Sequence, residues 1–160
     1  MLNLRVQSNL PKVRKRFNIF FKRFPNIITK GLEQAGVQLK EIILTKTDQG
    51  KRFDAGKFVA YSPSYAAEKG KSTVNLQDTN RMLQSIASKR INKNKIQLYF
   101  RSQTQAKKAL FHQKGLGNLP ERPFFGFNSK TEKIIKQSYE QFLKKEIKRM
   151  KLWVREKILQ

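Results

Sequence analysis

Residues 112–126 read HQKGLGNLPERPFFG, and they predict a tight loop that leads directly into a helix. Arg122 follows Pro120 by two positions and immediately precedes Pro123. A residue before proline avoids the helical region of backbone space, so Arg122 is expected on a stiff, extended segment. Aromatic residues Phe124 and Phe125 come next. No reaction chemistry explains this arrangement, whereas a rigid surface for packing or recognition does.

The role of Arg122 has two interpretations. A guanidinium held in one orientation can bind a carboxylate through two hydrogen bonds. The carboxylate could belong to the same chain, making Arg122 a latch that fixes the final helix, or to a neighbouring subunit. We take the latch as the working interpretation. The candidate structural or interaction motif comprises His112, Gln113, Gly115, Arg122, Pro123 and Phe124.

Helical patterns flank this loop on both sides. Ser129-Lys130-Thr131-Glu132 has the form of a capping box, which opens a helix by satisfying its first free N–H groups. Apolar residues then recur at helical spacing as far as Ile158, so 129–160 is predicted to be one long helix. A first long helix is predicted over 26–47, where Gly31 and Gly36 would allow a neighbour to approach closely. Shorter helices are predicted at 64–69 after the cap Ser62, from Asp78 or Thr79 through Met82, Leu83 and Ile86, and at 105–114 with Ala109 and Leu110 inward.

One strand is predicted by strict alternation. Ile96, Leu98 and Phe100 point one way and the intervening residues the other, after a turn at 93–95. The fold expected is therefore α+β: long N- and C-terminal helices packed on a small antiparallel sheet, in a single domain spanning 1–160.

The first 25 residues are predicted to be a basic, aromatic-rich extension. Pro11 and Pro25 should limit any helix to about residues 12–24, because proline lacks the N–H donor and clashes with the preceding turn. The phenylalanines could stack on nucleic acid or enter a membrane, or they could pack in the domain or against a neighbouring subunit. We prefer packing, since phenylalanine is usually buried. The candidate contacts to DNA or to an acidic partner are Arg14, Lys15, Arg16, Lys22 and Arg23.

Composition narrows the function further. The chain has 160 residues, no cysteine and a formal net charge of +24, which excludes thiolate chemistry and favours a polyanionic partner. His112 is the sole histidine. It is expected to be structural, near a helix C-terminus that suits its proton or a hydrogen bond to a terminal carbonyl. No carboxylate pair or glycine-rich phosphate loop suggests an enzyme, a cofactor or a metal. Neither a signal peptide nor a membrane-spanning segment is predicted.

Three phrases in order resemble one protein family. They are GKFVAYSPSYAAEKGK at 56–71, LQDTNRMLQSI at 76–86, and HQKG at 112–115 with ERPFFG at 121–126. Together they look like the virion morphogenesis (tail completion, neck) proteins of tailed phages, over roughly residues 50–150. Two positions depart from the family pattern. A proline before Tyr61 is missing, and Asn80 replaces a glycine after Thr79, although asparagine tolerates the left-handed backbone well.

The resemblance implies a structural virion protein at the head–tail junction, assembled in the host cytoplasm and incorporated in the neck or tail. It implies no enzymatic activity and no cofactor. The expected partners are further copies in a ring, six-fold as such layers often are, neighbouring connector and tail proteins, and the DNA that passes through the ring; no membrane is expected. The alternative is a basic nucleic-acid-binding protein that is not part of the particle. Steep salt dependence of DNA binding would distinguish that alternative.

Overall fold

The computed structural model describes residues 10–70 and 73–156, and the α+β class expected from the sequence is confirmed. The helices and strands are α1 (Leu10–Asp48), α2 (Pro63–Lys69), α3 (Arg81–Gln84), β1 (Ile86–Asn92), β2 (Lys95–Phe100), α4 (Gln103–Lys114) and α5 (Ser129–Glu156).

Helix α1 runs without a break through Pro25, so the predicted boundary between residues 24 and 26 is wrong. An internal proline costs about 3 kcal/mol, mainly through the lost hydrogen bond and the clash with the preceding turn. Two features offset this cost. Phe21, whose carbonyl loses its partner, is 65% exposed, so water can reach that turn. Phe20 and Ile27, on either side of the proline, both lie along α5.

Helices α1 and α5 form an antiparallel pair. Lys46 of α1 donates to Thr131 Oγ1 at 3.0 Å near the start of α5. Farther back along α1, Gly31 faces Tyr139 and Phe142, where an added Cβ would lie 2.7 Å and 2.9 Å from the two rings. The predicted close approach at this glycine is therefore confirmed. We call residues 10–30 of α1 with 139–150 of α5 the arm.

The small sheet is a hairpin of β1 and β2. Ile86 pairs with Phe100 and Ser88 with Leu98 in antiparallel register, and the turn between the strands lies at 93–94. The strand predicted from the alternation of Ile96, Leu98 and Phe100 is confirmed as β2, which begins at Lys95 within the predicted turn. The helical prediction for Ile86 is wrong, since this residue begins β1 and α3 is a single turn. Gly36 of α1 allows the hairpin to approach closely, because a Cβ added at this position would lie only 2.8 Å from Ile96 Cγ2.

The helix caps follow local chemistry, with two corrections. Ser62 caps α2 and Gly70 ends it with φ of +64°, as predicted. Helix α3 is preceded by Asn80 at φ of +57° instead of being capped by Asp78 or Thr79. Asparagine thus adopts the left-handed backbone expected of it in place of glycine. Helix α5 is capped by Asn128, not Ser129, because Asn128 Oδ1 accepts from the Thr131 N–H at 2.9 Å.

The core lies at the C-terminal end of α1. It joins Ile43 to buried residues from the loops, from α3, β1 and α4, and from the segment before α5: Phe58, Val74, Leu76, Met82, Leu83, Ile86, Ala109 and Phe124. Leu110, predicted to point inward, is 49% exposed. Helix α5 packs mainly on α1, and both strands of the hairpin also contact α1.

Parts of the predicted N-terminal extension and of the predicted final helix lie outside the residues that the structure describes. Residues 1–9 and Ile158 fall outside the described residues, as do the side chains of Trp153 and Val154. Among the helices in the described part of the chain, none combines the length and apolar character that crossing a bilayer requires.

Candidate functional site

Arg122 is a latch within the chain. Its side chain is buried, with 4% exposed, although it carries a charge. Nε donates to the Val59 carbonyl at 2.8 Å, and Nη2 donates to the Ala60 carbonyl at 2.9 Å. The predicted target was a carboxylate and the final helix, and that detail is wrong. Two backbone carbonyls satisfy the guanidinium instead, so Arg122 holds the segment before α2 in place.

Tyr61 completes the latch, a role that sequence reasoning missed. The Arg122 guanidinium lies 5.0 Å from the centre of the Tyr61 ring, and Lys69 Nζ lies 4.6 Å from it. Lys69 also donates to the Tyr61 hydroxyl at 2.8 Å and to Asn75 Oδ1 at 3.0 Å. Two cations thus bind the same tyrosine, Arg122 at the aromatic ring and Lys69 at the hydroxyl. The one sequence signal for this role is that Tyr61 immediately precedes Ser62, the residue that caps α2.

Gln113 clamps the two phenylalanines that follow Arg122. Its Oε1 accepts from the N–H groups of Phe124 at 3.1 Å and Phe125 at 3.0 Å. Its Nε2 donates to the Phe125 carbonyl at 3.1 Å. Three hydrogen bonds from one amide fix an irregular segment that has no strand partner. Phe124 can then enter the core, where 1% of its side chain remains exposed.

Gly115 allows the end of α4 to contact the backbone of the segment that contains Glu121 and Arg122. Its φ of +62° ends α4, and an added Cβ would lie 2.8 Å from the Glu121 backbone nitrogen. The Arg122 N–H donates to the His112 carbonyl at 2.7 Å just beside this contact. Pro123 is buried, and its carbonyl accepts from the Phe53 N–H at 3.0 Å. We call residues 112–115 with 121–126 the loop junction.

His112 lies inside the loop junction without the hydrogen bond expected for it. Its Nδ1 is buried and has no hydrogen-bond partner. Burial, and secondarily the positive charge of Arg122, hold the pKa of His112 below its ordinary value of 6.5. The expectation that the helix C-terminus would favour its proton is therefore wrong. Desolvation and the neighbouring cation outweigh the helix dipole here, and His112 serves the packing of the junction.

The five basic residues proposed for α1 do not form one cluster. Arg16 and Arg23 lie seven residues apart on the side that faces α5. Arg14, Lys15 and Lys22 border a smaller depression of about 480 Å³ on another side of the helix. Arg16 is partly buried, whereas the other four are exposed. One arm therefore presents two separate basic edges.

A large groove runs between the two helices of the arm. Its volume is about 820 Å³. Apolar side chains form most of its lining: Phe17, Ile19, Phe20, Ile27, Phe142, Ile147 and Met150. Arg16, Arg23, Lys30 and Arg149 also line it, with Glu146 as its one acidic residue. We call this feature the arm groove.

Phenylalanine side chains continue beyond the arm groove on α1. Phe17 and Phe21 stack with ring centres 6.3 Å apart, and Phe20 and Phe24 stack at 5.2 Å. Phe17 is 57% exposed and Phe21 is more exposed still. Packing of these two rings inside the domain, one of the predicted options, is not observed. Their exposure leaves contact with nucleic acid, with a membrane or with a neighbouring subunit as the remaining options.

Within residues 10–70 and 73–156, no three histidine or acidic side chains cluster as a metal site would require. Comparison with known proteins finds no matching family model, no similar curated protein and no similar solved structure. Function is therefore argued from the loop junction and the arm.

Proposed function

We propose that this chain is a structural virion protein of a tailed phage, acting at the head–tail junction as a subunit of a tail completion or connector ring. Its role is assembly and not catalysis. The host cytoplasm is the proposed place of assembly, and the neck or tail of the particle is the proposed location. The partners are further copies of the chain and the neighbouring connector and tail proteins.

One observation carries the proposal: the three phrases that resemble the tail completion family meet in one place. Arg122 of the third phrase binds the carbonyls of Val59 and Ala60 in the first. Phe58, Leu83 and Phe124, one from each phrase, share the core. Residues separated by more than 60 positions are thus held together, as a single structural motif built from the three phrases would require.

The exposed apolar side chains support an assembly role. Phe17 and Phe21 lie near one end of α1, and Phe17 is 29 residues, or roughly 44 Å, from Lys46 at the other end. A second exposed apolar group lies near that other end and comprises Leu110, Leu116, Leu119 and Phe127. Closed rings require contacts in which different surfaces of adjacent subunits meet. Two apolar groups far apart on one molecule provide such surfaces.

The alternative is a nucleic-acid-binding protein outside the particle, and the exposed basic edge of Arg14, Lys15 and Lys22 favours it. Phosphate contacts by such an edge would require no sequence reading. Both functions use the net charge of +24, so charge alone does not separate them.

Light scattering of the purified chain at moderate and high salt, with and without duplex DNA, separates the two functions. A discrete oligomer of ring size that forms without DNA and persists at high salt is the expected result. A monomer that binds duplex DNA at low salt and releases it steeply as salt rises would overturn the proposal in favour of the alternative.

A further inference from the structure

We infer that the arm groove binds an acidic amphipathic helix of a different protein. As an assembly contact, this inference rests on the function proposed above and names the chemistry of one partner. It depends structurally on three features of the groove: its apolar floor, its charged rim and its length.

The floor is suited to the apolar face of a helix. Phe20 and Ile27 from α1 face Phe142, Ile147 and Met150 from α5 across the groove. Two antiparallel helices can cover each other only along one line, so the channel beside that line stays open. A third helix fills such a channel by packing its apolar stripe between the first two, as amphipathic helices do in hydrophobic grooves. Methionine, with its flexible thioether side chain, adapts well to such a stripe.

The rim selects for acidic residues. Arg16, Arg23 and Lys30 follow one another at intervals of seven residues, which places them about 10.5 Å apart along one side of α1. Across the groove, Arg149 lies 3.9 Å from Glu146. This contact is long and the arginine is 80% exposed, so the pair neutralises little of the positive rim. A partner helix with a carboxylate at every seventh position would meet the three α1 cations in register.

The length of the groove sets the length of the partner. From Arg16 to Lys30 the groove spans 14 residues of α1, or roughly 21 Å. An occupying helix therefore needs about four turns. The occupant consequently presents two or three carboxylates to the rim and an apolar stripe to the floor.

A second copy of this chain fits the groove poorly. Each copy carries +24, and no stretch of the sequence has three acidic residues at intervals of seven. Two such molecules would bring basic rims together. Nucleic acid would satisfy the rim but would leave phosphates and sugars against the apolar floor, where polar groups are costly to bury. A partner that is both acidic and amphipathic satisfies both parts of the groove.

The test uses the full chain and a synthetic peptide. The probe is an 18-residue, fluorescently labelled helix with leucine at apolar stripe positions and glutamate at every seventh position. Control peptides are a scrambled sequence and the same helix with lysine in place of glutamate. Binding is measured by fluorescence anisotropy at physiological salt. Arg23→Glu changes the groove rim. The control Lys107→Glu makes the same change in charge at an exposed lysine of α4, which packs near the opposite end of α1. Far-UV circular dichroism confirms that both variants fold.

The expected result is that Arg23→Glu weakens binding of the acidic helix about tenfold, since charge reversal turns an attraction at the rim into a repulsion. Lys107→Glu should change binding less than about threefold, because α4 packs at the other end of α1, well beyond the roughly 8 Å over which charges act at physiological salt. The control peptides should not bind measurably.

Four outcomes would overturn the inference. They are equal weakening by both variants, equal binding of the scrambled peptide, no binding of the acidic helix to the folded chain, and loss of self-association or of duplex DNA binding in Arg23→Glu with peptide binding unchanged. The ring measurement does not involve the peptide, so failure of the groove and failure of the proposed function give different results.

Discussion

Replacing Arg122 by methionine should destabilise the fold substantially. Methionine matches the arginine side chain as far as Nε and keeps the packing of that apolar stem, but it removes the two charge-assisted hydrogen bonds to the Val59 and Ala60 carbonyls. Such bonds contribute about 1.5–3 kcal/mol each. Part of this is recovered, because burying the guanidinium is itself costly and both carbonyls belong to exposed residues that water can reach. A net loss of about 2–4 kcal/mol follows.

The assay is thermal unfolding followed by circular dichroism. For a chain of this size, each kcal/mol lowers the melting temperature by about 2–4 °C, so the expected decrease is about 5–15 °C. Arg52→Met is the matched control. Arg52 pairs with Asp54 at 2.8 Å, but both side chains are more than a third exposed, and surface pairs stabilise little. Equal decreases for the two variants would refute the latch, as would a melting temperature for Arg122→Met that matches the wild type.

Three further predictions concern the same region. Gly115→Ala should cost at least twice as much stability as Gly70→Ala in urea unfolding. Both glycines have positive φ, but only Gly115 has backbone within 3 Å of the new Cβ. Equal losses would show that the close approach to Glu121 does not contribute. Asn128→Ala should cost about 1 kcal/mol as a lost helix cap, whereas Ser129→Ala should cost much less, and the reverse order would restore the sequence-predicted capping box. The pKa of His112 is lowered in the folded state, so the unfolded chain binds more protons as the pH falls. The stability of the wild type relative to His112→Gln should therefore fall as pH drops below about 6.5. A stability difference that stays constant between pH 7.5 and pH 5.5 would contradict a buried neutral imidazole.

Local chemistry made some elements predictable. Ser62, Pro63 and Gly70 specify both ends of α2 through a side-chain cap, a fixed φ and a left-handed glycine. The alternation from Ile96 to Phe100 specifies β2 because side chains of a strand point to opposite faces in turn. In each case the decisive interactions lie within a few residues.

Other elements required contacts that sequence spacing does not show. Pro25 should end a helix by its own chemistry, but α1 continues through it, with the turn at Phe21 open to water and packing along α5 on both sides of the proline. Ile86 fits a helical stripe locally, but pairing with Phe100 places it in a strand. The carbonyls that Arg122 binds lie more than 60 positions earlier in the chain, so its extended backbone was predictable while its partner was not.

By itself, the sequence determined the positive charge, the amphipathic stripes of the two long helices, the short caps and turns, and the stiff segment around Arg122. These properties depend on composition and on neighbours along the chain. Only the tertiary structure decided which stripes cover each other. When α5 packs on α1, it leaves a channel whose floor is apolar and whose rim includes Arg16, Arg23 and Lys30. The groove exists because two helices cannot bury all of their apolar surface in a single line of contact.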